Sequence, residues 1–349
     1  MIKLNETPVR TSRNFNINNM KLNDINIPEK LKTFNNLKII GNIEISENIE
    51  NTELTYGIEK NLINQVQNNS NRKIRIDVNQ KIENTILLNF KFDKENLNLV
   101  ENIEIVLEEN SSANIILKYE TEDVENAYHN GIIKVIAKNN SELNITIVNL
   151  LNKKSNNFIS IDNTIWENSK VNYSIVDFGG KNSITNYYSN LKGTLSENKI
   201  SAIYLGTDNQ TFDLNYIGEL RGEKSNIDIE VQGALKDTAK KHFKGTIDFK
   251  KGSKKAQGNE NEFCMLLSDT AKSIALPMLL CSEEDVEGNH SSAAGKVDDK
   301  QLFYIMSRGF SQKEAMKLIV KAKFNTILET IKDGKLQHEI IEEIDKRLD

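Results

Sequence analysis

Through the middle of this chain, apolar positions alternate with polar ones. Ile227, Ile229 and Val231 form the cleanest run, and Ile103, Ile105 and Leu107 repeat it. A period of two is the signature of a strand with one buried face. Five segments share a polar turn leading into such a run. They are NSSANIIL (Asn110 to Leu117), NSELNITI (Asn140 to Ile147), NSKVNYSI (Asn168 to Ile175), ENKISAIYL (Glu197 to Leu205) and GEKSNIDIEV (Gly222 to Val231). A sixth, KGSKKAQG (Lys251 to Gly258), begins in the same way, and the starts are spaced by 30, 28, 29, 25 and 29 residues. Self-similarity at roughly 20–50 residues marks stacked architectures. One coil of this length holds two or three short strands with Asn-Ser or Gly-Glu-Lys turns between them. Stacked coils then share a narrow continuous core. The pattern predicts a mainly β protein with a β-solenoid core, in which Ile145, Ile175 and Ile229 point inward. A β-sandwich with Asn-rich turns is the alternative.

The ends read differently. Asp298 is an N-cap with Gln301 three residues on, and Gly309 stops that helix. Ser311 and Glu314 form a capping box opening a second helix, which Gly334 is expected to end. A last helix carries Leu336, Ile340, Ile344 and Leu348 as one stripe at i, i+4 spacing. That stripe is read either as core packing or as a docking surface. Ile27-Pro28-Glu29-Lys30-Leu31 reads as a turn and a helix start. The expected organisation is a mixed N-terminal region (1–85), a β-core (86–297) and a C-terminal helical subdomain (298–349).

Composition removes several classes. The net charge of −5 argues against a general nucleic-acid binder. No apolar run is long enough to span a membrane, and the first residues lack a signal-peptide core. With two Cys, a reducing cytoplasm is the expected location. The asparagine enrichment fits an AT-rich genome and receives little functional weight. There is no G-x-x-x-x-G-K-[ST], no G-x-S-x-G, no H-E-x-x-H and no C-x-x-C. The expectation is a protein that is not an enzyme.

Candidate chemistry concentrates at Pro277–Gly309, PMLLCSEEDVEGNHSSAAGKVDDKQLFYIMSRG. Cys281, Glu283, Glu284, Asp285, Glu287 and His290 fall within ten residues, in what reads as a loop. Thiolate and imidazole are soft and borderline metal ligands. Taken locally, Cys281 after Leu279-Leu280 is also an ordinary packing residue, and His290 an ordinary surface one.

The same stretch carries a resemblance. Its order P-x-L, E-D-V, H, G-x-V-D, Q-L-F-Y, S-R-G resembles the C-terminal signature of the SufB/SufD family of iron–sulfur cluster assembly scaffolds. The run GALKDTAKKHFKGTIDFKKGSKKAQGNENEFCMLLSD, Gly233 to Asp269, resembles the family segment before it. The likeness extends from about Asp213 to Ile331. It implies a right-handed parallel β-helix core and a non-catalytic scaffold subunit. It also implies pairing through the β-core with a SufB-type subunit or a second copy, and docking of a SufC-type ATPase through the C-terminal helices. The implied cargo is an iron–sulfur cluster or iron, held transiently and shared with a partner subunit. His290 matches the family's functional histidine. The cysteine that many SufD relatives carry two residues earlier is Gly288 here, so Cys281 is the candidate thiol. Glu284 and Asp285 are candidate helpers. Leu280 replaces a common Glu, and Ser291 stands where SufB members tend to carry an acid. The short chain and the SSAAG run point to a SufD-like subunit. The alternative functions are a β-helix carbohydrate-active protein and a purely structural solenoid.

Overall fold

The computed structural model describes residues 4–9, 25, 27–50 and 53–349. Two short strands open the described chain, β1 (Leu37–Ile40) and β2 (Ile45–Ser46), followed by helix α1 (Lys60–Asn69). The stack then begins with β3 (Arg72–Val78), β4 (Ile86–Phe92), β5 (Asn98–Leu107), β6 (Ser112–Thr121), β7 (Tyr128–Ala137) and β8 (Glu142–Leu150). It continues through β9 (Asn156–Ile165), β10 (Lys170–Asp177), β11 (Asn182–Leu191), β12 (Glu197–Gly206) and β13 (Thr211–Leu220). Its last strands are β14 (Asn226–Leu235), β15 (Lys240–Phe249), β16 (Ala256–Leu266), β17 (Lys272–Cys281) and β18 (Val286–Lys296). Helices α2 (Asp299–Ser307), α3 (Gln312–Leu328) and α4 (Gly334–Leu348) close the chain.

From β3 on, each strand pairs in parallel with the strand two places along. The chain therefore climbs as a solenoid of about eight turns with two nine-stranded sheets. From β3 on, the even strands make one sheet, joined by β1, and the odd strands the other, joined by β2. In-register stacking puts like positions above one another. One inward column of the even sheet reads Ile115, Ile145, Tyr173, Ile200, Ile229. These side chains are almost wholly buried in the core shared by the two sheets, as are Ile175 and Val231.

The repeat starts are corners. Asn110, Asn140, Asn168, Leu195, Lys224 and Lys255 all have φ between 53° and 61°. Asparagine tolerates this left-handed geometry better than most residues. Each of these N–H groups donates to a carbonyl one coil further on, as Asn110 does to Asn139 (3.1 Å) and Asn140 to Glu167 (3.0 Å). The serine that follows closes the turn. Ser111, Ser141, Ser196 and Ser225 each donate a hydroxyl bond three residues back, at 2.6–2.8 Å. Part of the asparagine enrichment is therefore structural.

The two ends of the stack differ. At the first end, β1 pairs antiparallel with β4, and β2 with β3, so both sheets gain a cap. At the last end, β17 and β18 are the terminal strands of their sheets. The outer face of the odd sheet is covered by α1, whose Leu62 and Val66 pack with Val100, Tyr128 and Phe158. Leu4–Thr7 lie along the same face. There the buried Lys244 pairs with Asp213 (2.6 Å) and donates to the Asn5 carbonyl (2.8 Å).

The outer face of the even sheet is covered by α3 and α4. Leu336, Ile340, Ile344 and Leu348 are buried there with Val148, Val176, Ile203 and Leu205. Burying four such side chains contributes about 1.5–3 kcal/mol each. The stripe is packing, and it is not exposed for a partner. The Arg347 guanidinium donates to the carbonyls of Phe178 and Leu151, which pins α4 to a solenoid corner.

The Asp298 cap and the Ser311–Glu314 capping box form as expected. Two local expectations fail. Gly334 does not end the second helix. That helix stops at Leu328, and Gly334 is the first residue of α4, capped by the Asp333 carboxylate. Residues 27–31 do not start a helix either. The Pro28 carbonyl instead accepts a bond from Gln65 of α1 (3.1 Å).

Leu195 is an exposed residue in a left-handed corner where the three preceding coils use asparagine. Replacing Leu195 with Asn relieves that strain and is expected to stabilise the fold by about 1 kcal/mol. Urea unfolding midpoints check this, and an unchanged or lower midpoint would contradict it.

Candidate functional site

The signature stretch is not a loop. Pro277–Cys281 finishes β17, His290 lies within β18, and residues 282–285 make the turn between them. Both strands add to the stack in register, Ala256 beside Val286 and Lys241 beside Ser273. Nothing among the described residues stacks beyond them, so the inner side of β18 faces solvent along nearly its whole length.

His290 continues the inward column of the even sheet. The column runs Ile200, Ile229, Glu260, His290. Its neighbour runs Ala202, Val231, Glu262, Ser292. The apolar core therefore gives way to carboxylates in its last closed coil, and to an exposed histidine and serine at the open end.

These carboxylates differ sharply. Glu262 accepts from buried Lys241 (2.7 Å), from the Tyr204 hydroxyl (2.9 Å) and from Ser292 (2.8 Å). Gly233 allows the Tyr204 ring to lie across the interior, because a Cβ there would sit 1.8 Å from the ring. Glu260 is 0% exposed, and neither of its carboxylate oxygens has a hydrogen-bond partner among the described residues. Its carboxyl lies over Gly245, where an added Cβ would come within 2.3 Å of Glu260 Cδ. Burial pushes its pKa up to about 8. The nearby Glu262 charge adds to the shift, and Lys241 opposes it. Cys264, two residues beyond Glu262, is also buried, and burial raises its thiol pKa.

The sequence-predicted residues are not brought together. Cys281 ends β17 at the turn, exposed, with Sγ 2.8 Å from the Glu283 carbonyl oxygen. Glu284 and Asp285 lie in that turn. His290 is four residues into β18, roughly 13 Å along the strand at about 3.3 Å per residue. Among the described residues, no three His, Cys, Asp or Glu side chains stand close enough to hold a metal ion together. Gly288, by contrast, shares the inner side with His290 and faces Phe249, which a Cβ would approach at 3.0 Å. Glu260, Glu262 and Cys264 escaped the sequence reading. The available signal was their spacing of two, in phase with Ala256 and Gly258 on the inward side.

Comparison with known proteins bears on the same strands. The family model described as "SUF system FeS cluster assembly, SufBD core domain" matches residues 90–323. The chain belongs to the SufB/SufD family. It is 26% identical over 246 residues to the iron-sulfur cluster assembly protein SufD of Bacillus subtilis, covering 69% of this chain and 56% of that protein. A SufBD family protein of Pyrococcus horikoshii is 25% identical over 257 residues, covering 72% and 56%. SufD of Escherichia coli is 28% identical over 114 residues, covering 33% and 27%. The chain spans about half the length of the first two. The parallel β-solenoid expected from this family is the fold observed. No helix among the described residues is long and apolar enough to cross a membrane.

Glu260 supplies a pH test. A carboxyl whose pKa is raised in the native state leaves stability intact below the ordinary range near 4.5, and stability declines as pH rises through about 8. Glu260→Gln removes that decline. Urea unfolding at both ends of this window should show the variant gaining on the wild type by a few kcal/mol at the alkaline end, on the scale of about 1.4 kcal/mol per pKa unit. Parallel pH profiles for the two proteins would mean that Glu260 ionises like a surface carboxylate.

Proposed function

We propose that this chain is a non-catalytic scaffold subunit of cytoplasmic iron–sulfur cluster assembly. It pairs through the open end of its solenoid with a SufB-type subunit or a second copy. The observation that carries this reading is the uncapped last coil, where His290 stands in the inward column above buried carboxylates. Unpaired strand edges are ready-made templates for another chain. Among the described residues, this fold caps its first end and leaves the last one open. A cluster held here is cargo, and few ligands from one subunit suit a site that must release it. His290 is this chain's principal ligand to iron or a cluster. Cys281, Glu284 and Asp285 contribute only where the partner's surface bridges the distance from the turn.

A SufC-type ATPase docks on the C-terminal helices. Because the α4 stripe is buried, the docking surface is assigned to α2 and the turn after it. Phe303 is 73% and Tyr304 58% exposed there, with Met306 and Phe310 exposed beside them. Contiguous exposed apolar groups of this kind mark interaction surfaces, and aromatic anchors are common hot spots. The ATPase supplies the nucleotide chemistry for which this sequence has no P-loop.

Both contacts are tested in co-expressed complexes purified anaerobically. Replacing Phe303 and Tyr304 with Ser should leave the fold intact and reduce co-purification of the ATPase at least tenfold. Undiminished recovery would move the contact elsewhere. His290→Ala should abolish bound iron, sulfide and visible absorbance, whereas Cys281→Ser should retain most of the signal. Assembly at the wild-type level in both variants would reduce this chain to a structural partner.

A further inference from the structure

We propose that Glu260 and His290 together bind one divalent transition-metal cation of the ferrous class at the open end, in this chain alone and before a partner closes over it. This inference deepens the scaffold reading and rests on its placing of the assembly site at the last coil. Glu260 and His290 are direct register partners in parallel strands, both on the inward side. Their Cα atoms are therefore about 4.8 Å apart, the spacing of neighbouring strands. That separation allows one ion to join a carboxylate and an imidazole at bond lengths of about 2.0–2.2 Å.

The carboxylate is prepared for a ligand rather than for packing. Buried polar groups are nearly always hydrogen-bonded. Among the unpartnered buried atoms of the described residues, Glu260 is the side chain that leaves both oxygens unsatisfied. The nearest cation does not serve it, because the Lys241 ammonium bonds to Glu262 Oε1. Ser292 holds the other Glu262 oxygen. The Lys241–Glu262 pair is thus internally balanced, and Glu260 is the uncompensated group. Gly245 clears the space around it. Above it, the His290 ring is exposed and has no hydrogen-bond partner among the described residues, so it is free to turn inward over the carboxyl.

One imidazole and one carboxylate suit Fe²⁺, Co²⁺, Mn²⁺ and Zn²⁺ better than soft thiolate-seeking ions. Two protein ligands leave several positions for water, sulfide or partner groups, which fits an ion to be handed on. A functional carboxylate kept unsatisfied in the core also explains why the chain tolerates a residue that lowers its own stability.

The test uses the isolated full chain, anaerobic and apo, titrated with Co²⁺ and read by calorimetry and by the visible d–d absorption of bound cobalt. One Co²⁺ per chain is expected. Glu260→Gln and His290→Ala should each weaken binding at least tenfold, and Leu195→Asn, at a distant corner, should leave it unchanged. No stoichiometric binding overturns the proposal, as does binding that survives Glu260→Gln. Circular dichroism confirms that each variant is folded. Cobalt binding with this mutational pattern supports the cation site even if the co-expressed complex fails to assemble clusters, so the two readings fail separately.

Discussion

Everything in this structure depends on parallel, in-register stacking. Each coil satisfies the backbone of the previous one and presents its own edge to the next, so a side chain at one position must suit a whole column. That constraint explains the isoleucine and tyrosine rungs from Ile115 to Ile229 and the recurring left-handed Asn-Ser corners. It also makes the two ends of the stack chemically special. The first end resolves its free edges with antiparallel strands. The last end exposes them.

The change from hydrocarbon to carboxylate in the final coils follows the same geometry. An unpartnered Glu at an inward position inside the stack would bury a charge among isoleucines, at a cost of several kcal/mol, and the inward Glu101 of β5 is accordingly held by the Tyr119 hydroxyl and His129. One coil from the opening, the same residue sits under solvent-exposed positions, with Lys241, Tyr204 and Ser292 arranged around its neighbour Glu262. Perturbed titratable groups beside an opening are often functional. Here Glu260 is out of balance and Glu262 is satisfied, and that difference between two residues on one strand singles out the site.

The solenoid was legible because its signals are local and repeated. Period-two runs follow polar corners at Asn110, Asn140 and Asn168, and the helix caps at Asp298 and Ser311 are spelled out in a few residues. The strand character of Val286–Lys296 was hidden for a physical reason. Its inner side faces water, so EGNHSSAAGK shows no apolar alternation and reads as a loop. Glu260 and Glu262 were hidden for the converse reason. Asn-Glu-Asn-Glu looks like a solvated segment unless it is placed in phase with Ile229 and Val231 on the strand before it. The helix boundary at Gly334 failed because a glycine serves at either end of a helix, and only the Asp333 side-chain bonds to Lys335 and Leu336 decide which. The resemblance singled out His290 as a candidate but could not say that Cys281 would lie on the opposite sheet, at the turn.

The central claim is that the last coil is where this chain is completed by another. Amide hydrogen exchange on the chain alone, and on its complex with a SufB-type subunit, tests it most directly. The account predicts new protection concentrated in residues 272–296, with little change in β3 to β14. Protection confined to the helices or to the lateral faces, with exchange in β17 and β18 unaltered, would contradict it.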